Sequence, residues 1–219
     1  MVLFDIDRTL IDSGGAGGRA WREAFQLCFG VSADIRAFTE IGMTDPEVAR
    51  KTFIGTLSRT PSPEELATLV MGYLRALPEQ VETSPGYRVL PGVVHLLESL
   101  AAGGALLGLV TGNVEGAARI KIARGGLDRY FAFGGYGSDS AHRGELTRKA
   151  IERAGVVHGH AIDPAQVFVV GDTPRDIEAA KYVGAISVAV ATGEYSEEEL
   201  RRVHPDHVLP TLETPFPAV

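Results

Sequence analysis

The stretch that decides the fold is Met1-Val2-Leu3-Phe4-Asp5-Ile6-Asp7-Arg8-Thr9, in which a short apolar run ends at a carboxylate. Such a run predicts a buried β-strand with polar groups at its carboxyl end. Two later stretches have the same form: Ala105 to Val110 leads into Thr111-Gly112-Asn113, and Val167 to Val170 leads into Gly171-Asp172-Thr173-Pro174-Arg175-Asp176. In open α/β sheets, ligands bind beyond the carboxyl ends of the strands, so we expect these three clusters to meet in one crevice.

The rest of the chain shows two kinds of secondary-structure pattern. From Val89 onward, strand patterns alternate with helix patterns, which predicts βαβ units and a parallel sheet. Further strands are predicted over 130–133 and 186–190, and helices over 91–101, 114–124, 145–154, 174–183 and 196–203. Residues 13–87 instead predict about four helices and no strand, between a glycine-rich turn or hinge at 13–18 and a turn at 83–86.

We therefore predict an α/β protein with a Rossmann-like core, built on a parallel sheet, and an inserted all-helical cap. The core would comprise residues 1–12 and 88–219, and the cap would comprise residues 13–87.

Composition excludes several classes of partner. The 219 residues carry 21 Lys plus Arg against 28 Asp plus Glu, a net charge of −7, which argues against nucleic acid and anionic lipid. No apolar run approaches the roughly 18 residues of a membrane span. The lone cysteine, Cys28, fits a reducing compartment. We expect a cytoplasmic monomer or homodimer with a small-molecule partner, no nucleic acid and no membrane.

The predicted crevice would hold four carboxylates, which are those of Asp5, Asp7, Asp172 and Asp176. Four carboxylates at close range cannot all stay ionised unless a cation lies among them. Oxygen ligands suit Mg²⁺, which takes one or two carboxylates together with a substrate phosphate. A calcium loop beginning at Asp5 fails, because Leu10 and Ala16 stand where an EF-hand needs Gly and Glu.

The three clusters resemble the motifs of the haloacid dehalogenase superfamily of aspartate-nucleophile phosphohydrolases, in the branch with a helical cap inserted after the first motif. The resemblance covers nearly the whole chain, and its motifs occur in the family's order, each at a strand end. It implies a Mg²⁺-dependent hydrolase of small phosphate monoesters, working through an aspartyl-phosphate, in the phosphoglycolate phosphatase-like part of the family.

The resemblance also implies a role for each site residue. Asp5 would be the nucleophile, and Asp7 would protonate the leaving alcohol and then activate water. Mg²⁺ would be held by Asp5, by the main-chain carbonyl of Asp7 and by Asp172, with Asp176 close to the metal or its water. Thr111, Gly112 and Asn113 would bind phosphate oxygens. Thr111 and Asn113 have an alternative role, because either could cap the helix that starts near Val114.

The third motif of the family, a Lys or Arg that pairs with the nucleophile and the phosphate, is not obvious in this chain. Its expected position, counted back from Ala150, is Ala141, which has no charge. Arg143 lies two residues later and is the candidate replacement. Lys149 is the second choice, although it lies more than one turn inside the predicted helix.

The cap offers one candidate for substrate recognition. Gly42-Met43-Thr44-Asp45 resembles the family's specificity loop, and Met43 stands where a basic residue often occurs, so a strongly anionic second group on the substrate is less well supported. Thr44 and Asp45 could contact substrate hydroxyls, or they could form the N-cap of the helix that follows.

Three other functions compete with a hydrolase. A phosphotransferase or sugar-phosphate mutase would share every core motif and differ in what accepts the phosphoryl group. A dehalogenase is disfavoured, because it needs neither Asp7 nor a metal. A noncatalytic phosphate-binding regulator is favoured only by the uncharged Ala141 and opposed by the intact Asp5, Asp7, Asp172 and Asp176.

Overall fold

The computed structural model describes residues 1–217. Its strands are β1 (Val2–Phe4), β2 (Ile11–Ser13), β3 (Tyr87–Val89), β4 (Leu107–Thr111), β5 (Phe133–Tyr136), β6 (Phe168–Gly171), β7 (Ile186–Val190) and β8 (His207–Leu209). Six of them form a parallel sheet in the order β5-β4-β1-β6-β7-β8. The predicted α/β class with a parallel sheet is therefore confirmed.

Strand β1 lies near the middle of this sheet, where Phe4 pairs with Leu109 on one side and Val170 on the other. Both faces of the sheet are covered, which is why its strands are continuous apolar runs rather than alternating ones. Val2 and Phe4 pack in one hydrophobic cluster and Leu3 packs in another on the opposite face, as expected from successive side chains of a strand.

Five helices accompany the sheet: α4 (Val93–Ala102), α5 (Glu115–Ala123), α6 (Arg143–His158), α7 (Pro174–Val183) and α8 (Glu197–Arg201). Residues of α4 and α5 share a cluster with Phe4, whereas residues of α6 and α7 share one with Leu3. Helix α6 begins at Arg143, two residues before its predicted start, and this earlier start makes Arg143 the first residue of the helix.

Two predictions about strands were wrong. Residues 128–130 form a short 3₁₀ turn, and the strand predicted over 130–133 is β5, which runs from Phe133 to Tyr136. Gly134 and Gly135 carry no apolar side chain, so the pattern placed the strand too early. The two-stranded antiparallel ribbon of β2 and β3, in which Ile11 pairs with Val89, was also not predicted.

The segment between β2 and β3 is helical, with α1 (Ala16–Phe29), α2 (Asp45–Leu57) and α3 (Pro63–Glu82). These helices have their own hydrophobic cluster, in which Trp21 stacks on Tyr73 with ring centroids 4.0 Å apart. Gly14 and Gly15 turn the chain at φ of 60° and 79°, but residues 16–18 already belong to α1 rather than to a hinge. The boundaries at residues 12 and 88 stay a prediction, since β2 and β3 cross them.

The helical segment, called the cap below, rests on the sheet edge. Asp45 N–H donates to Gly112 O at 2.7 Å, and Val114 of the core belongs to the hydrophobic cluster of the cap. Arg175 of α7 forms an ion pair with Glu40 at 3.2 Å. These contacts close the cap over the carboxyl ends of the central strands. Within residues 1–217, none of the helices combines the length and apolar character needed to cross a bilayer.

Candidate active site

The three polar clusters meet beyond the carboxyl ends of β1, β4 and β6. They line a cavity of about 150 Å³ that lies beneath the cap. Its lining from the core includes Asp5, Asp7, Thr111, Asn113, Arg143 and Asp172. The sheet explains this convergence, because β1 is hydrogen-bonded to both β4 and β6 and the three strands run parallel.

Three carboxylates form the centre of the site. Asp5, Asp172 and Asp176 are all buried, and each offers an oxygen that lies within 4.8 Å of an oxygen of the other two. Asp176 is fixed by the start of α7: its carboxylate accepts hydrogen bonds from Thr173 Oγ1 at 2.7 Å and from Thr173 N–H at 3.1 Å. The predicted N-cap at Thr173 is thereby seen, and it orients Asp176 towards the other two carboxylates.

Arg143 completes this centre. Its guanidinium Nη2 lies 3.2 Å from Asp5 Oδ1 and forms a close ion pair with Asp176, and its side chain is only 8% exposed. Lys149, the second choice, is exposed and pairs with Glu152 at 3.0 Å on the outer face of α6. Of the two cations considered for the third motif, the structure therefore brings only Arg143 to Asp5.

The charges at the centre do not balance. Three carboxylates and one guanidinium leave an excess of two negative charges when all are ionised. Burial raises the pKa of Asp172 to about 8, with the charges of Asp176 and Asp5 adding to the effect. Burial likewise raises the pKa of Asp5 to about 7, against the opposing charge of Arg143. Such shifts are expected where buried carboxylates crowd together.

A divalent cation fits this centre. Asp172 Oδ2 is buried and has no hydrogen-bond partner among the described residues, so a lone pair is free for a ligand bond. Gly193 leaves space beside this oxygen, because a Cβ at that position would lie 1.8 Å from Asp172 Oδ2. Oxygen-only ligands favour a hard cation. The buried cluster of Asp5, Asp172 and Asp176 can therefore bind a divalent metal.

The carboxylate of Asp7 faces another direction. It accepts hydrogen bonds from Lys121 Nζ at 2.6 Å and Asn113 Nδ2 at 2.9 Å, and its side chain is 39% exposed. Burial raises the pKa of Asp7, but the charge and hydrogen bonds of Lys121 and Asn113 outweigh burial and hold this pKa below its usual range. The side chain of Asp7 is thus outside the three-carboxylate centre, and only its main chain is left for the metal role expected above.

Lys121 was missed by sequence reasoning. Its side chain is 7% exposed, and Nζ also donates to Asn113 Oδ1 at 2.7 Å. A signal was present: Lys121 stands four residues after the buried Ala117 and next to the buried Ile122, on the inward face of α5. A lysine on such a face is almost never fully buried unless it is paired.

Thr111 and Asn113 form hydrogen bonds with each other rather than capping a helix. Thr111 Oγ1 accepts from Asn113 Nδ2 at 2.8 Å and from Asn113 N–H at 3.3 Å. The N-cap of α5 is Val114, whose N–H donates to Asp45 Oδ2 at 2.9 Å. The capping partner for α5 therefore comes from the cap, and Thr111 and Asn113 are left facing the cavity together with Gly112.

Thr44 and Asp45 have different surroundings. Thr44 is fully buried and forms a capping box with Glu47 at the start of α2, with Thr44 N–H donating at 3.1 Å. Asp45 lines the cavity, but Thr44 does not. The geometry thus matches the N-cap interpretation of Thr44, and its expected contact with substrate stays without support.

The sheet and the buried carboxylates at its strand ends define a Rossmann-like α/β protein with a capped site that can hold a metal. Residues 2–190 match the model of the family described as "Haloacid dehalogenase-like hydrolase". The chain belongs to this family and is therefore an enzyme of the hydrolase class.

Comparison with individual proteins places the chain near phosphatases. It is 29% identical over 217 residues to "Probable phosphatase IndB" of Dickeya dadantii, covering 97% of this chain and 90% of the relative. It is 28% identical to a phosphoglycolate phosphatase of Synechococcus elongatus, covering 96% and 92%. The solved structure of CbbY from Rhodobacter sphaeroides in complex with phosphate has the same fold, with a TM-score of 0.74, 17% identity and coverage of 97% and 94%.

Proposed function

We propose that this protein is a Mg²⁺-dependent phosphomonoester hydrolase that acts on a small phosphorylated metabolite through an aspartyl-phosphate on Asp5. The observation that carries the proposal is the buried centre of Asp5, Asp172 and Asp176 with Arg143 paired to two of its carboxylates. A site with this excess of negative charge admits a phosphate only together with a cation. The relatives named as phosphatases support the same class of reaction.

Asp5, Asp172 and the main-chain carbonyl of Asp7 are the residues we propose to hold Mg²⁺, with Asp176 contacting a water of the metal. The bound ion would neutralise charge between the carboxylate of Asp5 and the incoming phosphate. Arg143 would add a second positive charge beside Asp5 and, on binding, beside the phosphate.

In the first step, an oxygen of Asp5 attacks phosphorus and forms a P–O bond, while the ester P–O bond breaks. The leaving alkoxide takes its proton from Asp7. In the second step, a water attacks the aspartyl-phosphate, Asp7 accepts a proton of that water, and the bond between phosphorus and Asp5 breaks. Phosphate leaves and both aspartates return to their starting state.

The pairing of Asp7 with Lys121 suits the second step, because it keeps Asp7 ionised and able to accept a proton. The first step needs Asp7 protonated. An incoming phosphate brings negative charge close to Asp7, and a like charge raises the pKa of a carboxyl group. Asn113 and Thr111 would bind phosphate oxygens from the other side of the cavity, with the backbone N–H groups of the same turn.

The proposal is tested by measuring phosphate release by the purified protein from a panel of phosphate monoesters, with Mg²⁺ and with EDTA. We expect release that requires the metal, and a phosphoryl group trapped on the protein after acid quench. Product analysis separates a hydrolase from a phosphotransferase, since only the latter transfers phosphate to a second metabolite. Absence of release with every ester and every divalent metal would contradict the proposal and favour the noncatalytic alternative.

A further inference from the structure

A second cavity of about 200 Å³ lies between the cap and the core, next to the carboxylate cavity. We call it the cap chamber; it is bounded by Asp7, Asp45 and Lys121, which also line the carboxylate cavity, and by Gly17, Trp21 and Tyr73 of the cap. Under the proposed function, on which this inference rests, the leaving oxygen is protonated beside Asp7. The rest of the leaving group then extends past Asp7, and the cap chamber is the space on that side.

The size of the cap chamber suits a small leaving group. Its volume equals about six or seven water molecules, which fits a leaving group of about six non-hydrogen atoms. The wall is fixed, because Trp21 and Tyr73 are stacked at 4.0 Å and both are buried. At Gly17 a Cβ would lie 3.7 Å from Lys121 Nζ and 3.8 Å from Tyr73 Oη, so any larger side chain there would extend into the chamber.

The charge of the cap chamber limits the leaving group further. Its charged lining groups are two carboxylates, Asp7 and Asp45, and one ammonium, that of Lys121. This ammonium is already bonded to Asp7 at 2.6 Å and to Asn113 at 2.7 Å. With Asp7 protonated for the first step, the charges of Asp45 and Lys121 cancel, so a second anionic group on the substrate would lose its hydration without gaining a net positive charge.

Cations just outside the cap chamber are engaged elsewhere. Arg19 lies behind Gly15, one of the chamber's small residues, and its guanidinium donates to Gly14 O at 2.8 Å and to Gln80 Oε1 at 3.0 Å. The Tyr73 hydroxyl borders the chamber near Gly17. A hydroxyl group of the substrate is the partner that it suits.

We propose that the cap chamber receives the leaving group and selects small phosphate monoesters whose alcohol is uncharged, such as short polyol phosphates, over esters that carry a carboxylate. Several relatives are named phosphoglycolate phosphatase, and the leaving group of phosphoglycolate carries a carboxylate. The cap chamber of this chain therefore predicts a substrate preference opposite to that name.

The test uses two esters that differ only in this charge, 2-hydroxyethyl phosphate and 2-phosphoglycolate, with p-nitrophenyl phosphate as a general phosphatase substrate. Their rates are measured on the full chain with saturating Mg²⁺. We expect kcat/KM for 2-hydroxyethyl phosphate to exceed that for 2-phosphoglycolate at least about tenfold, because the carboxylate loses hydration in a chamber without a net positive charge. Glycerol phosphate against 3-phosphoglycerate repeats the comparison with a larger leaving group.

A variant adds one positive charge to the chamber. Ile35 lines it from the cap, next to Gly18, and is partly exposed. Ile35→Lys adds a cation, whereas Ile35→Met keeps a side chain of similar length without charge. We expect Ile35→Lys to raise the ratio of kcat/KM for 2-phosphoglycolate over 2-hydroxyethyl phosphate about tenfold, and Ile35→Met to leave that ratio unchanged.

The outcomes separate this inference from the proposed function. Equal or faster hydrolysis of 2-phosphoglycolate overturns the inference while leaving a phosphatase. Hydrolysis of p-nitrophenyl phosphate with no activity on either matched ester also overturns the inference while leaving a phosphatase. Absence of hydrolysis of all of these esters, with every divalent metal, overturns the proposed function and the inference with it.

Discussion

The guanidinium of Arg143 lies 3.2 Å from the carboxylate of Asp5, although the two residues are far apart in the sequence. Arg143 reaches this position because α6 begins at residue 143, and the same guanidinium pairs with Asp176. Both aspartates are buried, so Arg143 is the positive charge that holds two close carboxylates in place.

Replacing Arg143 with Met should therefore cost both activity and stability. We expect kcat to fall by at least about 100-fold, as on removal of one group that stabilises transition-state charge. The free energy of unfolding should fall by about 3–5 kcal/mol, because a buried pair loses one partner. Steady-state kinetics and denaturant unfolding measure the two effects. Lys149→Met, on the exposed face of the same helix, is the matched control and should change neither.

Asp5→Asn should abolish turnover while keeping the fold, since an amide oxygen is a poor nucleophile of nearly the same shape. Phosphate release and trapping of the phosphoryl group report the loss, and circular dichroism reports the fold. Asp128→Asn, at an exposed 3₁₀ turn, serves as the control with full activity. Metal-dependent release by a folded Asp5→Asn variant would remove Asp5 from the role of nucleophile.

Lys121→Met should raise the pKa of Asp7, because the ammonium that holds this pKa down is removed. The base form of Asp7 then persists only at higher pH, so the acidic limb of the pH–rate profile should move upward. p-Nitrophenyl phosphate isolates this step, since its leaving group needs little protonation. The acidic limb should not move in the Lys149→Met control. If it also does not move in Lys121→Met, the result would argue against Asp7 as the base.

Gly193→Ala should weaken metal binding, because the new Cβ would lie 1.8 Å from Asp172 Oδ2 and force that carboxylate to move. We expect the Mg²⁺ concentration for half-maximal activity to rise about tenfold or more, equivalent to at least about 1.4 kcal/mol of binding free energy. Gly103→Ala is the control, since its Cβ would meet main-chain oxygens only at 3.5 Å. Unchanged Mg²⁺ dependence in Gly193→Ala would place the metal away from Asp172.

The metal-free protein should lose stability as pH rises from about 5 to about 7. Asp5 and Asp172, with pKa values raised to about 7 and about 8, keep protons in the folded state that the unfolded chain has already released. The free energy of unfolding then falls by up to about 1.4 kcal/mol per pH unit for each such proton. Asp45, with a pKa raised to about 6 by burial, adds to the same trend.

Thermal unfolding with EDTA and with Mg²⁺, at several pH values in this window, measures the effect. Mg²⁺ competes with protons for the same oxygens, so the rise in Tm that it produces should grow with pH. Asp172→Asn should flatten the dependence seen with EDTA. A metal-free Tm that increases between about pH 5 and about pH 7 would contradict the raised pKa values.

By itself the sequence determined the class of fold and the location of the site. Buried parallel strands are continuous apolar runs, so the stretches that became β1, β4 and β6 could be recognised, and polar residues that follow such strands must lie at one edge of the sheet. The sequence alone therefore predicts that Asp5, Asp172 and Thr111 lie close together. The start of α7 was equally clear, because a Thr, a Pro and an acid at the first positions form a local capping pattern.

Only the tertiary structure decided which cations face the carboxylates and which groups face the substrate. Arg143 and Lys149 lie on the same helix, and only the packing of α6 turns one inward and leaves the other in solvent. Lys121 of α5 is buried, and its partner Asp7 lies in the loop between β1 and β2. Which distant carboxylate a buried cation meets depends on contacts between segments far apart in the sequence, and a local pattern of residues does not contain that information.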